Sequence, residues 1–550
     1  MSIRTGLPDK DYRPDLCIVG AGPIGLAVAM EAADLGLSVL VLESGGDSPE
    51  GSAVVPTYGE VVDDRRHAPL DVAVCRALGG TAWWWGGRCI PMDDIDYARR
   101  DHIPGSGWPI GPETLAPFYA RAARYLDCGD DTFISRSDAW SRLGDGVRVG
   151  ALERWSHTRE ISKVHADHLA SHPLITICLG VNVDRLDTVS GTVTALSVSA
   201  VQGQRQIAAD HIVLAAGGLG TAKLLLEQQR RDPAAFGGAE GALGKFYMGH
   251  TFGKIADIVL ADPAAAQTMD FYLDATGTWV RRRIDIAPEA QLQDGILNTA
   301  FWIDNAAFHD FRHGSGILSA VYLALSIPPL GRKLLSEAIR RMHVGNGGHY
   351  LRHIANVALH PLSTAVSAWQ ILRQRYLEKP RRPGFLIRNR AGRYALSYHG
   401  EQLPMADSRV TLGPDGKLVV DLRFCHADAV SIVKAHERVD RALRAAGLGH
   451  LDYHMPEEGR IAAVLDQATD GFHQEGLLRM GTDPADSVVD ADCRVHGLDN
   501  LFVASTGVFP TSGQANPTFT GCALVIRLAH FLAGQRAGSR KAEELSHAER

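Results

Sequence analysis

The sequence has few of the features that would place the protein in a membrane or on nucleic acid. Its longest central apolar run, Ile317 to Ile327, is about half the length needed to cross a bilayer. Residues 1–11 lack the basic and then apolar pattern of a secretory signal. No stripe of Lys and Arg is present, and the formal net charge is -7. We therefore expect a cytoplasmic protein with no nucleic-acid partner and no stable membrane insertion.

Cysteine pairs are missing as well. The eight cysteines form no CxxC pair and no spacing typical of metal ligands, and many of them lie inside apolar runs. We expect buried, reduced thiols, as in cytosolic proteins, and no metal site. The cysteines are Cys17, Cys75, Cys89, Cys128, Cys178, Cys425, Cys493 and Cys522.

The length of the chain favours two domains, because 550 residues exceed what one hydrophobic core usually supports. With 45% hydrophobic and 22% charged residues, the composition is that of an ordinary globular protein. The weakly acidic balance is compatible with a neutral or cationic small substrate.

A nucleotide-binding pattern is present near the N-terminus. Leu16–Val19 predicts a buried parallel strand, and a GxGxxG loop at residues 20–25 follows it at once. Residues 26–35 are helix formers, and residues 38–42 predict a second strand that ends in Glu43. The order of strand, glycine loop, helix, strand and acid is typical of a dinucleotide-binding fold.

The residues of this pattern have separate physical roles. Gly20 allows the tight turn, and Gly22 lets the backbone approach a pyrophosphate closely. Gly25 lets the helix pack against the strand, and the first N–H groups of the helix are free to face the phosphates. Glu43 lies where an acid can accept hydrogen bonds from ribose hydroxyls. The pattern does not by itself separate FAD from a nicotinamide dinucleotide.

A second strand, glycine loop and helix lie nearly 200 residues after the first. They are predicted at Ile212–Ala216, Gly217–Gly220 and 222–228, and strand-like runs at 174–178 and 193–201 precede them. Flavoproteins with two dinucleotide-binding segments build the FAD domain from such separated pieces. Nicotinamide dehydrogenases usually use one continuous stretch, so the chain favours FAD.

The most informative stretch of the chain begins at His473. It contains HQEGLLRMG at 473–481, RVHG at 494–497, and an Asn-Pro-Thr turn at 516–518 before a predicted helix. With these motifs the chain resembles the glucose-methanol-choline (GMC) oxidoreductase family, nearest to bacterial members similar to pyranose oxidases and glycoside dehydrogenases. Leu477 departs from the family pattern, which commonly has Thr at that position.

The resemblance implies an α/β fold, α+β overall: a Rossmann-like FAD-binding domain of GMC type with an inserted antiparallel-sheet substrate domain. It places His473 on the active-site histidine of the family and Asn516 on the partner of that histidine. An imidazole can accept a hydroxyl proton near neutral pH, and the amide can hold the hydroxyl or the imidazole. The C–H hydride is then expected to pass to flavin N5, with an imidazolium stabilising the reduced ring.

A third block, Arg76 to Arg88, places paired glycines on both sides of three tryptophans. It resembles the family segment that runs along the flavin. In some relatives a histidine of this loop bonds covalently to the flavin, and Trp84 takes that position here, so we expect non-covalent FAD. We expect about half of the triplet in the core. Trp84, His473 and Gln402 or Glu401 are candidate substrate contacts.

The motifs and the resemblance together give a set of expected FAD-binding residues. They are Gly20, Gly22, Gly25, Glu43, Ser44, Arg76, Gly79, Gly80, Thr81, Trp85, Gly86, Gly87, Val183, Ala216, Gly217, Thr506, Gly507, Asn516, Pro517 and Thr518.

The expected FAD domain is discontinuous and consists of residues 12–110, 165–255 and 462–545. Residues 111–164 and 256–461 are expected to form the substrate-binding domain and its cover segments, with a hairpin at 410–422 and a helix at 427–446. Residues 351–377 form an amphipathic stretch around Pro361. Packing on the domain, contact with a subunit and a membrane-surface role all stay open for it.

The leading hypothesis is an FAD-dependent oxidoreductase that oxidises a hydroxyl of a sugar, glycoside or aminosugar to a carbonyl. Oxidation of an aminoglycoside in antibiotic biosynthesis fits this class. The electron acceptor is oxygen or another redox carrier, and we favour a dehydrogenase over an oxidase. The alternatives are a GMC enzyme acting on a non-sugar alcohol or sterol, a nicotinamide-dependent dehydrogenase, and a flavoprotein without catalytic activity.

Overall fold

Two sheets of different kinds organise the chain. A computed structural model describes residues 3–9, 12–49, 59–329, 344 and 348–548. In these residues a six-stranded sheet is parallel throughout, and an eight-stranded sheet is antiparallel. The predicted combination of a Rossmann-like domain and an antiparallel sheet is confirmed.

The parallel sheet gathers the glycine motifs at one edge. Its inner strands are short runs that are mostly apolar and buried, as expected for a sheet covered on both faces. Because all strands run in the same direction, their carboxyl ends lie at one edge of the sheet. The segments that follow Val19, Leu214 and Val503 therefore meet at that edge. In spatial order the strands are Ile3–Thr5, Ile175–Leu179, Val39–Glu43, Leu16–Val19, His211–Leu214 and Leu501–Val503.

The antiparallel sheet has its own hydrophobic core, into which the helices His426–Ala446 and Glu457–Gln467 pack. The first of these helices begins where Asp428 accepts a hydrogen bond from the backbone N–H of Cys425, and it ends at Gly447, whose φ is 64°. In spatial order the strands are Gly449–Tyr453, His250–Leu260, Arg393–Glu401, Thr299–Asp304, Trp279–Ile286, Val147–Trp155 and Arg88–Cys89, with Tyr272–Leu273 paired to Trp279–Ile286.

Two smaller sheets and a set of helices complete the described structure. One small sheet contains Gly203–Ile207, Thr192–Ala200 and Asn182–Val189, and the other contains the predicted hairpin strands Arg409–Leu412 and Leu418–Asp421 with Gly59–Val61. The remaining α-helices are Pro23–Asp34, Leu70–Ala73, Asp94–Tyr97, Pro112–Leu115, Tyr119–Tyr125, Ile161–Val164, Ala166–Ser171, Gly217–Arg231, Pro288–Asp294, Gly316–Ser326, Tyr350–Leu359, Pro361–Leu372 and Thr518–Ala548.

The predicted domain boundaries need correction at two strands. Arg88–Cys89 falls in the expected FAD segment 12–110, but it pairs with Arg154 and Trp155 of the antiparallel sheet. The strand His250–Leu260 likewise begins before the predicted boundary at residue 255. Both strands therefore carry residues from the antiparallel sheet to the cofactor side of the molecule.

The cysteines and the helices agree with the expectations from the sequence. None of the eight cysteines forms a disulfide; six are buried, and Cys75 and Cys425 are half-buried. Among the described helices, none combines the length and the apolar character that crossing a bilayer requires.

Candidate active site

One cavity connects the glycine motifs with the predicted active-site histidine. Its volume is about 500 Å³, and it extends from Glu43 past the loop at Gly20 and Gly22 to His473. Residues from all three predicted cofactor segments line it. The predicted residues in its wall are Gly20, Gly22, Glu43, Ser44, Arg76, Gly80, Thr81, Val183, Ala216, Gly217, His473, Thr506, Pro517 and Thr518.

The glycine loop has the backbone geometry that its motif predicts. Gly20 has a φ of 107°, and a Cβ there would lie 2.6 Å from the carbonyl oxygen of Ala215. A Cβ on Gly25 would lie 2.2 Å from the carbonyl oxygen of Gly20, so only glycine lets the helix Pro23–Asp34 approach so closely. A Cβ on Gly22 would meet no atom within 4 Å. The backbone at Gly22 is therefore open to the cavity.

His473 and Asn516 meet at one end of this cavity. The Asn516 Nδ2 atom lies 3.2 Å from His473 Nε2. His473 follows Phe472, a residue with a left-handed φ of 62° whose side chain is 61% exposed. Strained backbone of this kind is concentrated at functional sites. The motif that begins at His473 and the Asn-Pro-Thr turn at 516–518 thus each contribute one side chain to this pair.

Arg88 fixes the orientation of the Asn516 amide. The Arg88 Nε–H donates a hydrogen bond to Asn516 Oδ1, and a guanidinium can only donate. The amide nitrogen of Asn516 must therefore face His473 and donate to its Nε2 atom. Nε2 consequently carries a lone pair, and the proton of the neutral ring is on Nδ1. This tautomer presents an unprotonated nitrogen beside the cavity.

His250 accepts a hydrogen bond from the protonated nitrogen of the His473 ring. The two Nδ1 atoms lie 2.7 Å apart, so His473 Nδ1–H donates to His250 Nδ1. The His250 ring stacks on His399 at 4.2 Å between centroids, and His399 Nδ1 lies 2.7 Å from the carbonyl oxygen of Gln514. Sequence reasoning missed His250 and His399, since each is an isolated histidine in a strand that only long-range pairing brings to the site.

The three imidazoles are close enough together to be considered as metal ligands. Each offers a nitrogen within 4.8 Å of the others. Imidazole lone pairs lie in the ring planes, and the His250 and His399 rings are inclined by only 16°. Their lone pairs therefore do not converge on one point, and the arrangement suits hydrogen bonding better than shared coordination of an ion.

The site keeps its histidines uncharged. Burial, reinforced by the positive charge of Arg88, lowers the pKa of His473 to about 3. Burial also lowers the pKa of His250 and of His399 well below the ordinary value. His473 is therefore neutral at physiological pH and able to accept a proton.

A buried carboxylate balances the charge of Arg88. Glu153 contacts Arg88 at 3.1 Å, Arg281 at 2.6 Å and Arg283 at 3.3 Å. Burial alone would raise the pKa of Glu153, but the three arginines outweigh it and lower the pKa to about 2. Burial in turn lowers the pKa of Arg88 to about 10, which leaves its guanidinium charged at neutral pH.

Comparison with known proteins agrees with this geometry. Residues 404–524 match the family described as GMC oxidoreductase. The chain therefore contains the C-terminal domain of that family. GMC oxidoreductases are FAD-binding flavoproteins that act on CH–OH groups as oxidases or dehydrogenases. The resemblance drawn from the motifs is confirmed.

Relatives match over nearly the whole chain at low identity. The 2-methyl-1,2-propanediol dehydrogenase of Mycolicibacterium austroafricanum is 22% identical, with 94% of this chain and 95% of the relative covered. The paromamine 6'-oxidase of Streptomyces fradiae is 24% identical, with coverages of 96% and 92%. A solved fungal aryl-alcohol oxidase superposes with a TM-score of 0.50 at 14% identity, covering 96% of this chain and 100% of that one, and supports the fold alone.

The cavity fits FAD, the cofactor of GMC oxidoreductases. The first N–H groups of the helix Pro23–Asp34 have no partners within the helix and lie where the motif puts the pyrophosphate. Gly22 leaves that approach open, and a Cβ on Gly80 would lie 2.8 Å from Gly22 Cα, so the two glycine loops are in contact. Glu43 is buried, and its oxygens accept hydrogen bonds from Ala21 N and Gly45 N at 2.8 Å. Oε1 also accepts a hydrogen bond from Ser44 Oγ at 3.4 Å, and Oε2 keeps a further lone pair for a ribose hydroxyl.

Seven of the expected FAD-binding residues do not line the cavity. Gly25 packs the helix on the strand, Gly79 N–H donates to the carbonyl oxygen of Ala21, and Asn516 faces His473. These three residues position the loops and the base. The seven are Gly25, Gly79, Trp85, Gly86, Gly87, Gly507 and Asn516.

The three tryptophans differ from expectation, because none of them is buried. The Trp83 Nε1–H donates to the carbonyl oxygen of Leu78 at 3.0 Å, and the Trp85 Nε1–H donates to that of Arg159 at 2.7 Å. Trp84 is 55% exposed. The outer two rings are thus fixed by their indole N–H groups, and the middle ring is open to solvent.

Gln402 and Glu401 have structural roles and not the expected substrate contacts. The Gln402 amide accepts from Gly249 N and donates to the carbonyl oxygen of Arg423, each at 2.7 Å. Glu401 is fully buried in a bidentate pair with Arg100, at 2.6 and 2.7 Å. These bonds hold the end of the strand Arg393–Glu401 in place.

Proposed function

We propose that the protein oxidises a hydroxyl of a sugar, glycoside or aminosugar to a carbonyl, with His473 as the base. The observation that carries the proposal is the unprotonated Nε2 of His473, oriented by Asn516 and Arg88 beside the cavity that fits FAD. The cavity lined by Gly20, Gly22 and Glu43 would hold FAD, which when bound would supply an acceptor for the hydride and would gain negative charge on reduction.

His473 takes the hydroxyl proton on Nε2. The Asn516 N–H, now 3.2 Å from that nitrogen, can also donate to the hydroxyl oxygen and hold it in place. The proton already on Nδ1 stays in the hydrogen bond to His250, so the ring orientation is kept when the second proton arrives. General-base assistance of this kind contributes a factor of about 10² to 10⁴ in rate.

The resulting imidazolium is disfavoured in the resting site. Burial and the Arg88 guanidinium both oppose a second positive charge on the ring, as the low pKa of His473 records. Proton uptake is therefore favourable only when negative charge develops next to the ring. This coupling ties the loss of the hydroxyl proton to the loss of the hydride.

Two aromatic side chains give the substrate a surface to stack on. Phe472 lies in the cavity wall next to His473 and is 61% exposed, and Phe252 is 37% exposed. A Cβ on Gly471 would lie 3.9 Å from the Phe252 ring and 3.7 Å from His473 Nδ1, so Phe252 is close to the base. Flat apolar rings beside a polar pair suit the faces of a sugar ring.

The named relatives support the substrate class, and they also support its alternative. Paromamine, the substrate in the name of the Streptomyces relative, is an aminoglycoside. The Mycolicibacterium relative is named for a small diol, so a non-sugar alcohol is the second candidate. One of these relatives is named a dehydrogenase and the other an oxidase, so both oxygen and another redox carrier stay candidates for the electron acceptor. We keep the preference for a dehydrogenase.

We further infer that FAD is held without a covalent bond and that the enzyme works in the cytoplasm. Trp84 takes the place of the histidine that links to the flavin in some relatives, and an indole offers no comparable nucleophile. Eight unpaired thiols support a reducing compartment. Release of yellow flavin into the supernatant after acid precipitation is the expected result.

The test of the substrate class is anaerobic mixing of the purified flavoprotein with a panel of alcohols. The panel holds a free sugar, a glycoside, an aminoglycoside, a small diol and a sterol, and loss of flavin absorbance is followed. We expect the fastest loss with a sugar, glycoside or aminoglycoside. Loss with the diol or sterol only would select the alternative, and no loss with any alcohol would refute the catalytic proposal.

A further inference from the structure

Two consecutive helices, Tyr350–Leu359 and Pro361–Leu372, carry large apolar side chains on their outer surface. We call them the outer helix pair. Of the 21 exposed large hydrophobic residues among those the structure describes, ten lie between residues 327 and 377. The ten are Ile327, Tyr350, Leu351, Ile354, Leu359, Leu362, Val366, Trp369, Leu372 and Leu377. The apolar surface of the molecule is therefore concentrated on this segment.

The inner face of the outer helix pair is polar. His353 is buried, and its Nδ1 atom lies 3.0 Å from Ser319 Oγ on the helix Gly316–Ser326. The Asn356 Nδ2–H donates to the same Ser319 Oγ at 3.1 Å and to the carbonyl oxygen of Phe311 at 3.0 Å. A water-exposed helix normally packs its apolar stripe inward and turns its polar stripe outward. The helix Tyr350–Leu359 shows the reverse arrangement.

Exposed apolar side chains recur along both helices. Leu351 and Leu362 are each 82% exposed, and Trp369 is 57% exposed. In the second helix Leu362, Val366, Trp369 and Leu372 follow one another at spacings of three or four residues, which puts them on one face. That helix contains no buried residue at all. Exposed apolar side chains concentrated in this way mark a surface that binds a partner.

The charge around this stripe is strongly basic. Residues 350–390 contain eight Lys and Arg and one acidic residue, Glu378, in a chain whose overall charge is -7. Glu378 pairs with Arg373, and Arg382 pairs with Asp270. Other basic side chains of the segment are exposed, namely Arg352, Lys379, Arg381, Arg388 and Arg390. The patch thus combines an apolar face with surplus positive charge.

This combination selects between two possible occupants. A two-fold dimer through the patch would place it against itself, bringing two basic segments together, and such like-charge contacts are unfavourable. The surface of an anionic bilayer offers acyl chains to the apolar stripe and negative headgroups to the basic side chains. Trp369 has the type of side chain that favours the boundary between headgroups and acyl chains.

We propose that the outer helix pair docks the enzyme on the surface of an anionic lipid bilayer. Both helices lie in the plane of the interface, with the stripe from Leu351 to Leu372 facing the acyl chains. The attachment is peripheral, since none of the described helices can cross a bilayer. It does not depend on the chemistry proposed for His473.

The test measures binding of the FAD-loaded enzyme to vesicles of phosphatidylcholine, with and without phosphatidylglycerol, by co-sedimentation. We expect binding to the anionic vesicles to exceed binding to the neutral ones by at least about tenfold and to weaken as salt is added. The variant carrying L362E and W369E should lose at least about tenfold in binding to the anionic vesicles.

A matched control carries V189E and V201E, which replace two exposed apolar residues, one at the end of the strand Asn182–Val189 and one in the turn after the strand Thr192–Ala200. It should bind anionic vesicles like the unmodified enzyme, and all variants should keep their FAD. Equal binding to neutral and anionic vesicles, or no effect of L362E with W369E, would overturn the proposal. A third outcome would also overturn it. If light scattering shows a dimer that L362E with W369E dissociates, and the enzyme does not bind anionic vesicles, the patch joins two copies of the chain.

Discussion

At the scale of single residues, the chemistry depends on which nitrogen of His473 is free. The chain from Arg88 through Asn516 to His473 decides this, because a guanidinium donor fixes an amide and the amide fixes a tautomer. Loss of any member changes the orientation of the next. Arg88 touches neither nitrogen of His473 and acts through Asn516 and through its charge.

Replacing Arg88 by methionine should make catalysis sensitive to acid. Burial is the larger cause of the low pKa of His473 and the Arg88 charge is the smaller one, so removal of the charge raises that pKa part of the way to the ordinary value of about 6.5. A base must be unprotonated to act, so the rate of flavin reduction in R88M should fall as the pH drops from about 7 to about 5. In the unmodified enzyme, whose His473 pKa is about 3, the rate should stay level over that range.

The matched variant R88K keeps the charge and removes the Nε–H that orients Asn516. We expect a lower maximal rate in R88K without the new acid limb. Stopped-flow reduction at a series of pH values separates the two effects. An acid limb near pH 6.5 in the unmodified enzyme would contradict a neutral, low-pKa His473.

Sequence motifs found only part of this group of residues. His473 and Asn516 were predicted because each sits in a short motif whose neighbours are local in the chain. Arg88 stood in the glycine–tryptophan block without a role, and His250 stood in no motif. Both reach the site on strands of the antiparallel sheet, and the pairing partners of those strands are distant in sequence. No local pattern encodes such a pairing.

At the scale of elements, the nucleotide-binding pattern was predicted closely because its physics is local. The strand Leu16–Val19 is found as predicted, and the helix that follows begins at Pro23, three residues earlier than expected, because proline is accommodated in a first helical turn. The helix 426–446 ends at Gly447 as predicted. Elements with clear start and stop signals were recovered, and the domain limits at 88–89 and 250–255 were not.

Gly22 provides a test of the cofactor cavity at this scale. Its backbone angles, φ -72° and ψ 176°, suit any residue, and a Cβ would meet no protein atom within 4 Å. G22A should therefore leave the FAD-free fold intact or raise its free energy of unfolding by about 0.5 kcal/mol. A methyl group at the place reserved for the pyrophosphate should weaken FAD binding by at least about tenfold.

The control for that experiment is G144A, at another glycine where a Cβ would meet no atom within 4 Å. Gly144 does not line the cavity, so G144A should bind FAD normally. Titration of FAD into the FAD-free proteins gives both affinities. Normal FAD binding by G22A would remove the glycine loop from the cofactor site.

At the scale of the whole molecule, catalysis requires the two sheets to meet at one place. The parallel sheet brings the glycine loops to the cavity, and the antiparallel sheet contributes Arg88 and His250. The C-terminal stretch then supplies His473 and Asn516. The outer helix pair takes part in none of these contacts. In the sequence it was visible only as an amphipathic stretch whose role stayed open.

The most direct test of the account is anaerobic flavin reduction in H473A, compared with the unmodified enzyme on the substrate that the alcohol panel selects. The side chain of His473 does not hold the glycine loops, so H473A should retain its FAD. Flavin reduction should slow by a factor of about 10² to 10⁴ when the base is lost. Reduction at a near-normal rate in FAD-loaded H473A would contradict it.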